Sequence, residues 1–237
     1  MSCVYAEREE RWETTDGLAY FDPAAAEWAE QFFPMCLQHH IGNEWDGQPF
    51  HLMDYQRITI RTLFGWRQTA PGGYRRFRKV FLAVPKGSGK SPFGAGLGLF
   101  LAFFDGEAGA EAYAVAADRG QAGIVFDSAK VMVQRNESWS GQFEVFRDSI
   151  KRTGGTDSFQ VISSDASTKH GFRPHAIIFD EFHAQPNRHL FDALYRGMGK
   201  RRQPVLVMIT TAGDNDESIC FEAVSYTHLT LPTTPYV

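Results

Sequence analysis

The apolar run Val80-Phe81-Leu82-Ala83-Val84 passes into Pro85-Lys86-Gly87-Ser88-Gly89-Lys90-Ser91 and then into an apolar stretch opened by Pro92 and Phe93. No other segment restricts the fold as tightly. A strand that turns through a short glycine-containing loop into a helix aims backbone N–H groups at one point, where the helix dipole is positive, and this suits a phosphate group. Residues Pro85, Lys86, Gly87, Ser88 and Gly89 then form a nucleotide cradle. Lys90 is expected to hold the β- and γ-phosphates of ATP and Ser91 to place its hydroxyl on Mg²⁺. Pro92 falls in the first helical turn, where a missing N–H costs little. The usual pattern G-x-x-x-x-G-K-[ST] is incomplete, because Val84 stands where its first glycine belongs. A chance Gly-Ser-Gly turn would explain the glycines, but not Lys90 and Ser91 at the head of a helix.

Around this loop the pattern alternates between short apolar strands and helices. Strands are expected at Lys79 to Val84, Glu111 to Ala117, Phe159 to Ser163, His175 to Asp180 and Pro204 to Thr211, with helices at Pro92 to Phe104, Gly120 to Arg135 and His189 to Gly199. That alternation predicts an α/β fold with a mostly parallel sheet covered by helices, and with the phosphate loop in it the chain resembles a P-loop NTPase core, RecA/ASCE-like. Asp118 and Gln121 read as a capping box with Asp in place of Ser or Thr. Gly94 and Gly98, four apart in the first core helix, weaken it, so close packing on the sheet is expected to compensate. Residues 1–70 read as an N-terminal helical extension, residues 71–223 as the core.

The segment Ala176-Ile177-Ile178-Phe179-Asp180-Glu181 is an apolar strand ending in two carboxylates. Such endings are mostly solvated loop starts. In a parallel sheet, however, the carboxyl ends of the strands line the ligand crevice, which would put Asp180 near the Mg²⁺ on Ser91 and leave Glu181 to polarise water. The next strand ends in Thr210-Thr211-Ala212-Gly213, which reads equally as a γ-phosphate sensor or as a β-rich pair before a turn glycine.

Composition adds exclusions. The 43% apolar and 22% charged content is that of a globular protein without a membrane span, and the net charge of −4 leaves DNA contact open, since a local basic surface suffices. Cys3, Cys36 and Cys220 lack the paired spacing of a zinc or disulfide framework, which fits a reducing cytosol. His39, His40, His51, His183 and His189 form no metal-ligand set, so the expected metal is Mg²⁺ through the nucleotide. The run Arg75-Arg76-Phe77-Arg78-Lys79 reads as a solvated approach to the first core strand or, less favoured, as a contact for DNA phosphates. Residues 224–237, VSYTHLTLPTTPYV, break the upstream pattern and read as the translation of an adapter joined to a truncated gene.

Taken together, Phe50-His51-Leu52 with Gln56, the loop Val84 to Ser91, the run Ala116 to Ala122 with Gln121, Phe179-Asp180-Glu181-Phe182-His183-Ala184-Gln185-Pro186-Asn187, and Thr210-Thr211-Ala212-Gly213 resemble the large terminase subunit of tailed bacteriophages. In that family a phosphate loop without its first glycine is usual. The resemblance implies an ATPase motor that packages double-stranded DNA into a procapsid. Lys90 and Ser91 would bind ATP-Mg²⁺, Asp180 support the metal, Glu181 serve as catalytic carboxylate with Lys90, and Thr210, Thr211 and Gly213 couple hydrolysis to movement. Gln56 would contact adenine, and Lys86 occupies a position often basic in the family.

The implied partners are DNA, a portal protein, a small terminase subunit and further copies in a ring. The implied place of action is the cytoplasm of an infected bacterium, on the procapsid and not in a membrane. A nuclease domain would follow downstream. Arg188, Arg196, Arg201 and Arg202 are candidates for a basic residue acting on a neighbouring subunit's nucleotide, though each also reads as an ordinary surface charge. Two rivals stand beside this reading. Asp180-Glu181-Phe182-His183 also fits the D-E-x-H pattern of nucleic-acid helicases, and a nucleotide-binding module without hydrolysis would use the same loop.

Overall fold

The computed structural model describes residues 3–6, 11–42, 44–116, 119–163, 171–184 and 188–211. The segment 224–237, Gly213, Asp118, the Gln121 side chain and Gln185-Pro186-Asn187 lie outside the described residues.

The chain opens with strands β1 (Cys3–Ala6), β2 (Arg11–Thr14) and β3 (Ala19–Phe21), followed by helices α1 (Pro23–Cys36) and α2 (Asp54–Gly65) and strand β4 (Trp66–Gln68). Asp22 starts α1 by accepting the Ala25 N–H at 3.0 Å, and Pro23 fills the first helical position, which needs no donor. The N-terminal seventy residues are thus not helical throughout, as the sequence suggested. Strands β1 to β4 form an antiparallel sheet in the order β1-β2-β3-β4. Each of these strands has only three or four residues, too few for an alternating pattern to stand out.

The core follows as β5 (Lys79–Ala83), α3 (Lys90–Phe103), β6 (Glu111–Ala116), α4 (Arg119–Arg135), β7 (Phe143–Val145), β8 (Ser149–Arg152), β9 (Ser158–Ser163), β10 (Ala176–Phe179), α5 (His189–Met198) and β11 (Val205–Thr210). Its seven-stranded sheet runs β5-β11-β10-β6-β9-β8-β7. From β5 to β9 neighbouring strands are parallel, and β8 and β7 add an antiparallel edge. The five parallel strands and all three core helices match the sequence expectation within two residues at each end. The edge hairpin does not appear in it.

Helices cover both faces. Along β10, Ala176 and Ile178 pack with α1 to α4, whereas Ile177 and Phe179 face the cluster of Leu190, Leu194 and Met198 on α5, the period of two that a strand imposes. Every residue of β10 and β11 is buried, as in a parallel sheet with no solvent face. Phe32, Phe33, Ile60 and Phe64 of α1 and α2 belong to the same buried cluster as Phe93, Leu97 and Phe100 of α3, so the N-terminal helices share the core of the loop-bearing helix.

The glycines of α3 act as expected. A Cβ on Gly98 would lie 2.5 Å from Phe159 Cζ and 3.1 Å from Ile178 Cδ1, and one on Gly94 would lie 3.2 Å from Ile209 Cδ1. Their absence of a side chain lets α3 sit against the sheet and brings Lys90 to the strand ends.

Candidate nucleotide site

Strand β11 lies between β5 and β10, so the phosphate loop, the Thr210-Thr211 strand end and the acidic pair emerge side by side at one end of the sheet. The Val84 N–H donates to the Thr210 carbonyl at 3.0 Å, tying the start of the loop to β11. Gly89 caps α3 with φ +73°, a left-handed conformation that suits glycine and swings the chain into the helix. The first-turn N–H groups of Lys90 and Ser91 have no partner four residues back and remain available for an anion.

Two contacts bring the predicted residues together. Lys90 Nζ, with a buried stem, lies 2.5 Å from Glu181 Oε1. Ser91 Oγ donates to Asp180 Oδ2 at 2.9 Å. Asp180 is buried and its other oxygen accepts the Glu181 N–H at 3.1 Å. Glu181 has φ +49°, a left-handed conformation unusual for a residue with a Cβ, of the kind found where structure holds a functional group in place. The turn it makes continues into a short 3₁₀ turn, Phe182–Ala184, closed by the Ala184 N–H on the Glu181 carbonyl.

Charge within the pair is divided. Burial pushes the Glu181 carboxyl up, but the hydrogen bond and charge of Lys90 outweigh it, helped by His183 and Thr211, and hold it below the usual carboxylate range. Asp180 moves the other way. Burial raises it, the neighbouring Glu181 charge adds to the rise, and the Ser91 hydroxyl and Lys90 offset only part. A divalent cation beside Ser91 and Asp180 would reverse that balance, since the ion's own charge dominates such a site.

The loop is braced from beneath by residues of α2. Gln56 is buried; its Oε1 accepts the Met53 N–H at 3.0 Å while its Nε2 donates to the Tyr55 hydroxyl at 3.1 Å and faces the Gly89 carbonyl at 3.5 Å. Tyr55, which the sequence reading passed over, donates its hydroxyl to the Ser88 carbonyl at 2.8 Å. Ser88 Oγ is buried and, among the described residues, has no hydrogen-bond partner. An orphaned hydroxyl inside a glycine loop, beside free helix-start N–H groups and a lysine, fits a phosphate oxygen. Pro85, Lys86 and Gly87 form the exposed rim.

Residues 54–228 match the family described as terminase large subunit, ATPase domain. The chain belongs to that family. The crystal structure of the bacteriophage HK97 large terminase superposes on 85% of this terminase chain and 42% of its own with a TM-score of 0.69 at 23% identity, a likeness of fold. Over 52 residues, 22% of this chain and 11% of the relative, it is 42% identical to Protein YmfN of Escherichia coli K12. It therefore spans less than half the length of either. The helicase alternative gives way to the family match.

Two basic residues sit elsewhere than expected. Arg75 is not solvated; it is fully buried, with both Asp105 oxygens 2.6 Å from its Nη2. Arg201, a candidate for action on a neighbouring subunit, donates to the Arg173 and Gly109 carbonyls and pairs with Glu107 at 3.3 Å, near the starts of the strands and away from the loop. Arg188, Arg196 and Arg202 are exposed. His183, set aside because it joins no metal cluster, stands inside the site with Nδ1 2.8 Å from Thr210 Oγ1. The D-E-x-H spacing of the rejected helicase reading was the signal for it. Among the described residues no group of His, Cys, Asp and Glu is placed to hold a metal by itself, and no helix is long and apolar enough to cross a membrane.

Proposed function

We propose that this terminase ATPase domain hydrolyses ATP with Mg²⁺ and, within a longer protein, uses the energy to drive double-stranded DNA into a procapsid. The observation that carries this reading is the convergence of Lys90 with Glu181 and of Ser91 with Asp180 at the mouth of one phosphate-loop strand. Loop N–H groups, Ser88 and Lys90 would hold the phosphates. Ser91 and Asp180 would hold Mg²⁺, whose charge would neutralise the phosphate oxygens during phosphoryl transfer. Glu181 would then orient the attacking water and take its proton. Gln56 sits beneath the loop, and contact with adenine would require it to exchange the bonds it now makes. Thr210 ends β11 and Thr211 follows it; the Thr210 carbonyl accepts the Val84 N–H at the start of the loop, so a change at the phosphate end would reach the sheet, and Gly213 would extend that coupling segment.

The portal protein, the small terminase subunit, a ring of copies, a cation supplied by a neighbouring subunit, a downstream nuclease and action in the host cytoplasm complete the proposal. ATP turnover measured with Mg²⁺, with chelator, and with added double-stranded DNA tests its core. Turnover that survives chelation would overturn the metal assignment, and turnover and binding both indifferent to DNA in the full-length protein would overturn the motor assignment.

A further inference from the structure

Among the described residues of the strand-end cluster, His183 has no task in nucleotide binding, water activation or coupling as assigned above. Its ring nitrogen Nδ1 lies 2.8 Å from Thr210 Oγ1 and 3.5 Å from Glu181 Oε2. Thr210 Oγ1 in turn donates its only proton to the Thr211 carbonyl at 2.8 Å. Thr210 is 1% exposed, so water offers its hydroxyl no alternative partner. A hydroxyl whose proton is committed can only accept from the imidazole, and the proton between them must therefore sit on His183 Nδ1. The ring, in the 3₁₀ turn after β10, is thus set in its Nδ1–H form by the last residue of β11.

That assignment sets what the ring does for Glu181. The same nitrogen lies 3.5 Å from Glu181 Oε2, which also receives the Thr211 hydroxyl at 3.4 Å, while Lys90 occupies Oε1 at 2.5 Å. The two carboxylate oxygens are thus held by different elements: Oε1 by the phosphate loop, Oε2 by β11 and the 3₁₀ turn. When Lys90 turns to phosphate, Oε1 is released, and only the grip on Oε2 keeps the carboxylate aimed. The φ of +49° at Glu181 is a conformation that persists only where the surroundings hold it, and the contacts to Oε2 are part of that hold.

We propose that His183 is a positioning residue that, through one Nδ1–H group shared between Thr210 and Glu181, anchors Oε2 of the catalytic carboxylate to β11 and leaves Oε1 to meet water. It rests on the proposed role of Glu181. It also gives the coupling strand a direct hold on the catalytic group, since a shift of β11 moves the acceptor that fixes the ring.

The test has two arms. In the chain carrying ¹⁵N-labelled histidine rings, at about pH 8 where an ordinary imidazole is neutral, long-range ¹H–¹⁵N spectra read the tautomer of each ring. His183→Asn identifies the His183 signals by their loss. The expected result is a protonated Nδ1 and a bare Nε2, with that pattern lost in Thr210→Val. An Nε2–H ring in the wild type, or a pattern indifferent to Thr210→Val, overturns the inference.

The second arm is ATP turnover. His183→Ala should lower kcat about tenfold, at the foot of the range for correct placement of a general base, with KM for ATP little changed. His183→Asn, whose side-chain N–H can stand where Nδ1–H stood, should recover most of that loss. Wild-type kcat in His183→Ala, with equal thermal melts, overturns the positioning role. A wild-type chain that turns over no ATP strikes the functional proposal of the preceding section instead, and the tautomer spectra still decide the placement of His183.

Discussion

Lys90 and Glu181 make different demands of the site, and single substitutions separate them. In the proposed site Lys90→Ala removes the point charge assigned to the β- and γ-phosphates, and Mg²⁺-ATP binding measured by calorimetry should fall below detection. Glu181→Gln keeps the shape and a hydrogen-bonding end but loses basicity, so it should bind ATP nearly as well as wild type while hydrolysis falls at least about a hundredfold. Asp180→Asn should weaken binding only when Mg²⁺ is present. Equal hydrolysis in Glu181→Gln would move the catalytic role elsewhere. The polarity of the residues in this site was legible in the sequence, since Gly-Lys-Ser after a strand and Asp-Glu at the end of another carry their chemistry in their spacing. The role of Gln56 as a brace, the Tyr55 bond to Ser88 and the ring of His183 were not. Each depends on a turn that only the folded chain makes, above all the left-handed residue at Glu181.

At the scale of elements, helix α3 is both the carrier of Lys90 and a helix buried from Phe93 to Phe103, and its glycines decide how near it comes to the sheet. Gly98→Ala would drive a methyl group to 2.5 Å from the Phe159 ring, which is itself fully buried. Overpacking of this kind costs about 1–3 kcal/mol, and a lower melting temperature with weakened ATP binding should follow, because the displaced helix carries the loop's lysine with it. An unchanged melt would show that the ring gives way freely. Strands β10 and β11 were the most readable, because strands buried on both faces are plain apolar runs. Strands β7 and β8 were not, because the edge hairpin is short and interrupted by Glu144, Arg147 and Lys151. The N-terminal strands were hidden for a similar reason, although Asp16-Gly17 between β2 and β3 is a hairpin signal that composition obscured.

The whole molecule is fastened at the end of the sheet opposite the nucleotide site. Arg75, Asp105 and His175 are all buried there, with Asp105 Oδ2 2.6 Å from His175 Nε2 and Arg75 Nη1 3.3 Å from the Gln203 carbonyl. The cluster joins the segment before β5, the turn after α3 and the starts of β10 and β11. Burial pushes the Asp105 carboxyl up, but the Arg75 guanidinium and the His175 hydrogen bond prevail and hold it below its usual value. A carboxyl depressed in the folded state stabilises the fold fully above the ordinary aspartate pKa of about 3.9, and that contribution is lost as pH falls through the lower, folded value. Denaturant titrations of the wild type should therefore lose stability over that acidic window.

Asp105→Asn should reduce the acidic slope, leaving the part that Glu181 contributes, and lower stability at neutral pH by about 3–5 kcal/mol, since it strands a buried guanidinium. Adding Arg75→Met should restore much of the loss, and a double variant no more stable than the single one would assign the cost to His175 instead. The two ends of the sheet are therefore held differently: the strand starts by a buried ion cluster, and the nucleotide end by contacts that a bound phosphate would exchange. A push delivered where Glu181, Thr210 and the loop meet cannot be dissipated by sliding the strands along their length. It would go instead into splaying or twisting of the strands at the nucleotide end, which on the proposed function is the displacement passed on to the DNA.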